Sequence, residues 1–346
     1  MRVLLLNQVF HPDVAATGQL AADLAEDLVA AGHEVTVVTG RGAYAGGERW
    51  PARERWRGIE IERVRATSLG KGTLVRRAVD AATFYLAAAW RLLAGPRPDV
   101  ILAMSTPPLV ASAAALARRL RGVPFVYWVQ DVYPDLAVAF GVLRPGGLAC
   151  RLLEAASRFT TASADAVVVL GDAMARRLEA KGVPASRLRV VPNWADGAAV
   201  VPLEAAANPF LRDHGLQGQR VVLYSGNMGR AHDVGTLLQL ARSMPDRAGV
   251  TFLFIGDGHL RGEVEAASRE LPNVRLLPYQ RRDDLSRSLS AGDVHLVTQR
   301  PETLGLLEPS KFYGALAVGR PVLFLGGREY ELPDGTQLTR ISSEAG

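Results

Sequence analysis

The sequence is poor in cysteine, since Cys150 is the only one among 346 residues. One cysteine excludes a disulfide within the chain and a metal site built from several cysteines, and it is typical of a reducing compartment. The six histidines are scattered, and no close pair of carboxylates follows a predicted strand. We therefore expect no metal ion and no cofactor in the active protein.

Long hydrophobic runs are also missing. No run reaches the roughly 20 apolar residues that span a bilayer, and the best candidate, residues 81–94, contains Arg91. The apolar amino-terminal run ends at Asn7, too soon for a signal peptide, and predicts a buried strand instead. These features predict a cytoplasmic protein that does not span a membrane.

Neither sign of charge dominates, because 40 Lys and Arg face 35 Asp and Glu for a net charge of +5. No dense Lys/Arg tract points to nucleic acid, and the mild excess fits an anionic ligand or an anionic membrane surface. With 48% hydrophobic residues and a length beyond the roughly 250–300 residues of one core, the chain predicts two globular domains with a cleft between them.

Apolar runs alternate with helix-length segments along the whole chain. In the first half, strands are predicted at residues 3–9, 34–39, 100–104, 125–129 and 166–170, and helices at 19–31, 74–93, 109–120 and 147–163. After a polar, proline-flanked passage, strands are predicted at residues 221–225, 251–255, 274–277, 294–298 and 321–325. Continuous apolar runs separated by helices are typical of parallel sheets covered on both faces.

We place the domain boundary near Asp196, which gives an amino-terminal domain of residues 1–196 and a carboxyl-terminal domain of residues 197–346. Both are expected to be α/β, doubly wound and Rossmann-like, with their ligand edges facing each other across the cleft.

Two turns suit an anionic ligand. Thr17 and Gly18 open the first helix, whose N-terminal N–H groups can bind an anion or a hydroxyl, although a capped helix without a ligand is the alternative. Residues 225–232 include two glycines that let backbone N–H groups approach phosphate oxygens, with Arg230 and His232 as side-chain donors. A tight turn that merely needs glycine is an equal alternative there.

Three carboxylates lie at positions where a ligand-binding or catalytic role is expected. Asp131 follows a predicted strand, where open α/β sheets bind ligands, but such a carboxylate also caps helices. Asp257, between Gly256 and Gly258, can bond a sugar hydroxyl or simply form a turn. Glu302 precedes a glycine and a predicted helix start in residues 301–311; a solvated loop glutamate is the alternative.

These segments, in this order, resemble glycosyltransferase family 4, the retaining enzymes of the GT-B fold, and within it enzymes of bacterial colanic-acid and O-antigen assembly. The resemblance covers nearly the whole chain and is carried by residues 18–39, 130–135, 192–194, 225–229, 256–258 and 302–311.

The resemblance implies transfer of a hexosyl or N-acetylhexosaminyl group from a UDP- or GDP-sugar to a saccharide or lipid-linked acceptor. It implies catalytic roles for Asp131 and Glu302, and acceptor-side roles for Thr17 and Gln130. The donor-binding residues that it implies are Gly18, Gly226, Asn227, Arg230, His232, Gly256, Asp257, Gly305, Leu306, Ser310 and Lys311.

The sequence departs from the family pattern in several places. Gln130 stands where many members have histidine, and Asn227 and His232 stand where Arg and Lys are usual. The phosphate charge must therefore be met by Arg230, by protonated His232, by Lys311 or by backbone dipoles. Members also continue past the strand at residues 321–325, so this chain is expected to lack their usual carboxyl-terminal end.

Of the family's paired glutamates, only Glu302 is kept, because Ser310 occupies the second position and Glu308 is out of register. We therefore expect Glu302→Gln to reduce transfer at least about tenfold, and we expect Glu308 on a solvated face or cap.

Two other classes fit the same architecture. One is an epimerase or hydrolase acting on sugar nucleotides, since a fold does not fix a reaction. The other is an inactive sugar-nucleotide-binding protein, favoured by the missing second glutamate and the short carboxyl terminus.

Residues 70–93 predict weak attachment to an anionic membrane, on the inner face of the plasma membrane. The segment combines basic with aromatic residues, namely Lys71, Arg76, Arg77, Phe84, Tyr85 and Trp90. A helix that packs its apolar face on the sheet and solvates its arginines is the alternative.

Overall fold

The computed structural model describes residues 1–13, 15–42, 49–67, 74–244 and 249–326, and the strands within these ranges form two sheets. The strands of the first sheet are β1 (Arg2–Leu6), β2 (Glu34–Thr39), β3 (Arg53–Trp56), β4 (Ile59–Arg63), β5 (Val100–Met104), β6 (Phe125–Trp128), β7 (Ala166–Val169) and β8 (Leu188–Val190). Their order across the sheet is β3-β4-β2-β1-β5-β6-β7-β8, and all neighbours are parallel except β3 and β4.

Helices connect and cover these strands. They are α1 (Ala16–Ala30), α2 (Leu74–Ala94), α3 (Ala111–Arg121), α4 (Asp135–Ala139), α5 (Leu148–Ser163) and α6 (Asp172–Ala180). Helix α3 packs between α2 and α5, so these three helices form one layer beside the sheet.

The second sheet is smaller and entirely parallel. Its strands are β9 (Arg220–Ser225), β10 (Val250–Ile255), β11 (Val274–Leu277), β12 (Val294–Thr298) and β13 (Val322–Leu325), in the order β11-β10-β9-β12-β13. Its helices are α7 (Pro209–Asp213), α8 (Val234–Arg242), α9 (Arg261–Glu270), α10 (Leu285–Ser290) and α11 (Lys311–Ala317).

The two predicted α/β sheets are confirmed. Leu4, Leu5 and Leu6 of β1 are all buried, as expected for a central strand covered on both faces. The second sheet has its own apolar core around Tyr224 and Phe254. The boundary at Asp196 falls between β8 and β9, and its exact position stays a prediction.

The sequence patterns did not predict the hairpin of β3 and β4. Strand β3 is rich in charged residues, and only Ile59 and Ile61 of β4 face the core, so the segment resembles a polar loop. The turn consists of Arg57 and Gly58, whose φ angles of 50° and 83° match the left-handed geometry that suits a two-residue hairpin.

Helix α2 differs from the prediction in which side chains it exposes. Phe84 is fully buried, so it cannot meet a membrane, and Tyr85 is half-buried against the core. The large apolar side chains exposed on α2 are those of Val75, Val79, Leu86 and Trp90. Lys71 and the side chain of Arg77 lie outside the described residues.

No helix in the described part of the chain combines the length and the apolar character needed to cross a bilayer.

The two sheets are joined by direct backbone contacts. The Val132 N–H donates to the Leu306 carbonyl at 2.7 Å, and Asp131 pairs with Leu307 as an antiparallel bridge. The side chain of Leu306 belongs to the core of the first domain. Gly305 has a φ of 70°, and a Cβ added to it would lie 2.9 Å from the Ala173 carbonyl oxygen, so this contact requires glycine.

Candidate active site

A cleft of about 570 Å³ lies where the carboxyl ends of β1, β5 and β6 face those of β9 and β10. This is the edge at which open α/β sheets bind ligands. The predicted site residues that line it are Thr17, Gln130, Asp131, Gly226, Asn227, Arg230, His232, Ser310 and Lys311.

Asp131 is held in the cleft through its backbone. Its N–H and that of Gln130 donate to the Ser105 hydroxyl oxygen at 3.1 and 3.0 Å. Burial raises the pKa of its carboxyl group to about 6. A carboxyl group whose pKa is shifted by burial in a cleft is a candidate for chemistry, because a purely structural carboxylate would be paired with a cation.

Gln130 also lines the cleft, but its side chain is already engaged. Its amide exchanges two hydrogen bonds with the Asn193 amide, at 3.0 and 3.1 Å, and both residues are buried. The pair fixes the end of β6 to the segment that leads into the second domain.

At the start of α1, Thr17 and Gly18 differ in their exposure to the cleft. Thr17 lines the cleft, whereas Gly18 is buried beneath it, where an added Cβ would lie 3.3 Å from the backbone of Val9 and Phe10. The structure therefore gives Gly18 a packing role and does not bring it to the donor.

The two glycine turns of the second domain pack on each other. A Cβ on Gly256 would lie 2.1 Å from the Gly226 carbonyl oxygen, and the Met228 N–H donates to the Asp257 carbonyl at 2.8 Å. Only the turn at Gly226 lines the cleft. Gly256 and Asp257 contact that turn from outside the cleft lining, and a bond from Asp257 to a sugar hydroxyl stays a prediction.

Buried His232 and half-buried Lys311 form a pair in the second-domain wall. Lys311 Nζ lies 2.9 Å from His232 Nε2 and 2.9 Å from the Tyr224 hydroxyl oxygen. Burial lowers the pKa of His232 to about 3 and that of Lys311 well below its usual range. This shift favours the neutral form of His232, and a role for protonated His232 in meeting phosphate charge stays a prediction. Arg230 is exposed along the same cleft.

Glu302 and Glu308 lie in the opposite positions to those predicted. Glu302 lies in a short helical turn, Pro301–Thr303, outside the cleft, and its half-exposed side chain is 3.9 Å from Arg300. Glu308 lines the cleft, which contradicts its expected place on a solvated face. Burial, reinforced by Asp172 and opposed by the Tyr313 hydroxyl, raises the pKa of Glu308 to about 7.

Gly305 and Leu306 also lie outside the cleft lining, because both pack against the first domain. Both residues join the domains, and their donor-binding role stays a prediction.

The sequence patterns did not identify a second link between the domains. Asp23 on α1 accepts hydrogen bonds from Arg282 of the second domain and, at 3.3 Å, from the Trp194 indole N–H. All three residues line the cleft. Their separation by up to 259 positions leaves no local pattern that could have revealed the cluster.

In the described ranges, no three His, Cys, Asp or Glu side chains are grouped so that they could hold a metal ion. Metal independence stays a prediction.

Comparison with known proteins places these features in context. The model of a family described as "Glycosyl transferase 4-like domain" matches residues 16–194. The probable glycosyltransferase WbjE of Pseudomonas aeruginosa is 32% identical over 252 residues, which is 72% of this chain and 61% of that protein. The chain thus spans less than two thirds of this relative.

Two further proteins are similar over most of the chain. The putative colanic acid biosynthesis glycosyl transferase WcaI of Escherichia coli K12 is 26% identical, covering 92% of this chain and 82% of the relative. The crystal structure of HepE from Anabaena, in complex with UDP and glucose, has a TM-score of 0.65 at 16% identity, covering 93% of this chain and 80% of HepE. The likeness confirms the GT-B fold.

Proposed function

Because this chain belongs to the glycosyl transferase 4-like family, we propose that it is a glycosyltransferase that uses a UDP- or GDP-sugar as donor. It transfers a hexosyl or N-acetylhexosaminyl group, with retention of configuration, to a hydroxyl of a saccharide or lipid-linked acceptor. The product belongs to polysaccharide or glycoconjugate biosynthesis, which the similarity to WcaI, a putative colanic acid biosynthesis glycosyl transferase, supports.

The observation that carries the proposal is the opposition of charge across the cleft. The first-domain wall holds the Asp131 carboxyl group, and the second-domain wall holds Arg230, Lys311 and the backbone of the Gly226 turn. A glycosyl transfer develops negative charge on the leaving diphosphate and positive charge on the sugar. The two walls offer matching charges of opposite sign.

On the donor side, the turn at Gly226 and the two basic side chains bind the diphosphate. Gly226 has a φ of 135°, and a Cβ there would lie 3.2 Å from Lys311 Cε, so glycine lets the turn and Lys311 share one wall. The HepE structure, which holds UDP and glucose in the same fold, supports a nucleotide-sugar donor.

On the acceptor side, Thr17, Ser105 and Asp131 surround the space left for the acceptor hydroxyl. The ionised Asp131 carboxylate stabilises the oxocarbenium-like sugar, because an unscreened negative charge attracts positive charge strongly in a buried site.

Product analysis tests the proposal. The protein is incubated with a panel of UDP- and GDP-sugars and an extract of lipid-linked saccharides, and the products are separated by mass. We expect one donor to give a glycosylated acceptor. An epimerised donor or free sugar without transfer would indicate an epimerase or hydrolase, and an unchanged but tightly bound donor an inactive binding protein.

We further propose that the layer of α2, α3 and α5 rests on an anionic membrane surface. The exposed fractions of Val75, Leu86 and Trp90 are 72, 73 and 74%, and these residues follow one stripe of α2 together with Val79. The three helices contain eight arginines and two acidic residues, Asp80 and Glu154. An apolar stripe among arginines complements anionic lipid headgroups, and it would bring the cleft close to a lipid-linked acceptor.

A further inference from the structure

Lys311 is a half-buried amine on the cleft wall, and its polar contacts within the protein are all uncharged. Its Nζ donates to the Tyr224 hydroxyl oxygen and to His232 Nε2, each at 2.9 Å, and lies 4.5 Å from the centre of the Tyr224 ring. Within the described part of the chain, no carboxylate forms an ion pair with it. A buried ammonium without a counter-ion is costly.

The hydrogen bonds around Lys311 match two N–H donors. His232 Nδ1 lies 2.5 Å from the Thr298 carbonyl oxygen, and since a carbonyl only accepts, Nδ1 carries the ring proton and Nε2 accepts from Lys311. The Tyr224 hydroxyl donates to the Asn227 carbonyl at 2.8 Å, so its oxygen is free to accept from Lys311.

A third N–H on Lys311 has no good acceptor within the protein. The Asn227 carbonyl lies 3.5 Å away, at the limit of a hydrogen bond, and already accepts from Tyr224. A neutral amine has two N–H groups, which Tyr224 and His232 satisfy, whereas an ammonium has three.

The other charged groups of the cleft are not paired with Lys311. Arg230, in the neighbouring turn, has the same sign as an ammonium, and Asp23 is paired with Arg282. In the described residues, neither Glu308, on the same segment, nor Asp131, on the opposite wall, forms an ion pair with Lys311. Burial lowers the pKa of Lys311 well below its ordinary value.

We propose that the donor diphosphate enters this cleft together with a proton, which converts Lys311 from a neutral amine, held by Tyr224 and His232, into an ammonium. The inference rests on the proposed nucleotide-sugar donor. One N–H bond forms on Nζ, the proton comes from solvent, and no other bond changes. His232 acts as a positioning residue, since its neutral ring fixes the amine without adding charge.

Proton uptake makes donor binding dependent on pH in a defined direction. Where Lys311 is neutral in the free protein and charged in the complex, affinity falls about tenfold for each unit rise in pH. A lysine that is charged in both states would give no such slope.

NMR can observe the amine directly, because the chain has three lysines, Lys71, Lys181 and Lys311. In protein with ¹³C-labelled lysine, Lys71→Arg, Lys181→Arg and Lys311→Arg assign the three signals. In the nucleotide-free protein, we expect Lys311 to titrate far below the usual lysine pKa of about 10.4. Adding UDP or GDP at a pH where Lys311 is neutral should move its signal to the ammonium position.

Calorimetry in buffers of different ionisation enthalpy counts the protons taken up with the nucleotide. We expect about one proton for the wild type. Arg230→Gln is the matched control, because it removes a permanent charge from the same wall: it should bind more weakly with the same proton count. Lys311→Arg should bind with none, since arginine is always charged.

The outcomes separate the inference from the proposed function. Nucleotide binding without proton uptake, or a Lys311 signal that titrates near 10.4, overturns the inference and leaves the donor assignment intact. If neither nucleotide binds, the proposed donor fails, and inorganic pyrophosphate becomes the probe. A Lys311 signal that pyrophosphate does not move then overturns the inference as well.

Discussion

Asp131 can be tested by removing its charge alone. Asp131→Asn keeps the size of the side chain but removes the charge opposite the developing sugar cation, so we expect transfer to fall about 100-fold. Burial raises the pKa of Asp131, so the folded protein binds this proton more tightly than the unfolded chain, and ionisation at neutral pH costs stability. The variant should therefore melt no lower than wild type. Full activity in the variant would remove Asp131 from the mechanism.

Glu308 and Glu302 give a second test, with an outcome opposite to the one the sequence alone predicts. Glu308→Gln should lower transfer about tenfold, because a hydrogen bond to a charged group is worth about 1.5–3 kcal/mol, whereas Glu302→Gln should leave it nearly unchanged. Burial raises the pKa of Glu308 to about 7, so its carboxylate forms as the pH rises through 7. Wild-type activity should therefore rise over this range, and the activity of Glu308→Gln should not. Equal losses of transfer in both variants would contradict a role for Glu308 in the cleft that Glu302 does not share.

The exchanged positions of Glu302 and Glu308 show that a motif can predict which segment lies at the cleft but not which of its side chains face it. Glycines and charged residues after strands pointed to the turn at Gly226 and to Asp131. Both line the cleft, because parallel strands bring their carboxyl ends to one edge. The direction of the side chains in residues 301–311 could not be read in the same way. It depends on the pairing of Leu307 with Asp131, a contact between residues far apart in the chain.

At the scale of elements, the periodic patterns predicted the buried strands and missed the exposed ones. Strands β5 and β12 are continuous apolar runs and were predicted with the bounds that the structure shows. Strand β3 forms the edge of its sheet and is mostly polar, and β8 has only one buried residue, so neither has an apolar pattern to recognise.

Helix α2 carries the prediction for the membrane. Trp90→Glu should reduce co-sedimentation with anionic vesicles at least about tenfold, because it replaces a large interfacial side chain with a negative charge. Val201→Glu, at a 41% exposed position outside the helix layer, adds the same charge as a control and should change little. Binding that raised salt does not weaken, or that both variants retain, would contradict the proposal.

At the scale of the whole molecule, alternating strands and helices were enough to predict two domains and a cleft. The contacts that fix one domain on the other were not predictable, because Gly305, Leu306 and Asp23 each meet partners that are distant in sequence.

The link between Asp23 and Arg282 gives a test at this scale. Arg282→Ala leaves the Asp23 carboxyl group half-buried without its cation, so we expect a loss of about 1–2 kcal/mol in unfolding free energy. Adding Asp23→Asn should recover part of that loss, since the amide oxygen can still accept from Trp194. Denaturant unfolding of the single and double variants measures both effects. A double variant less stable than Arg282→Ala would show that the charge pair is not what matters.

The backbone bridge between Asp131 and Leu307 also constrains how the molecule can move. The bridge combines backbone hydrogen bonds with the buried side chain of Leu306, whereas the other link between the domains is the single ion pair of Asp23 and Arg282. We therefore expect the bridge to be harder to break than the ion pair. If the domains separate to admit a donor, we expect them to rotate about an axis through the bridge, with the widest opening at Asp23. Asp131 would then lie on the hinge itself, and the carboxyl group would stay nearly stationary while the opposite wall swings toward it.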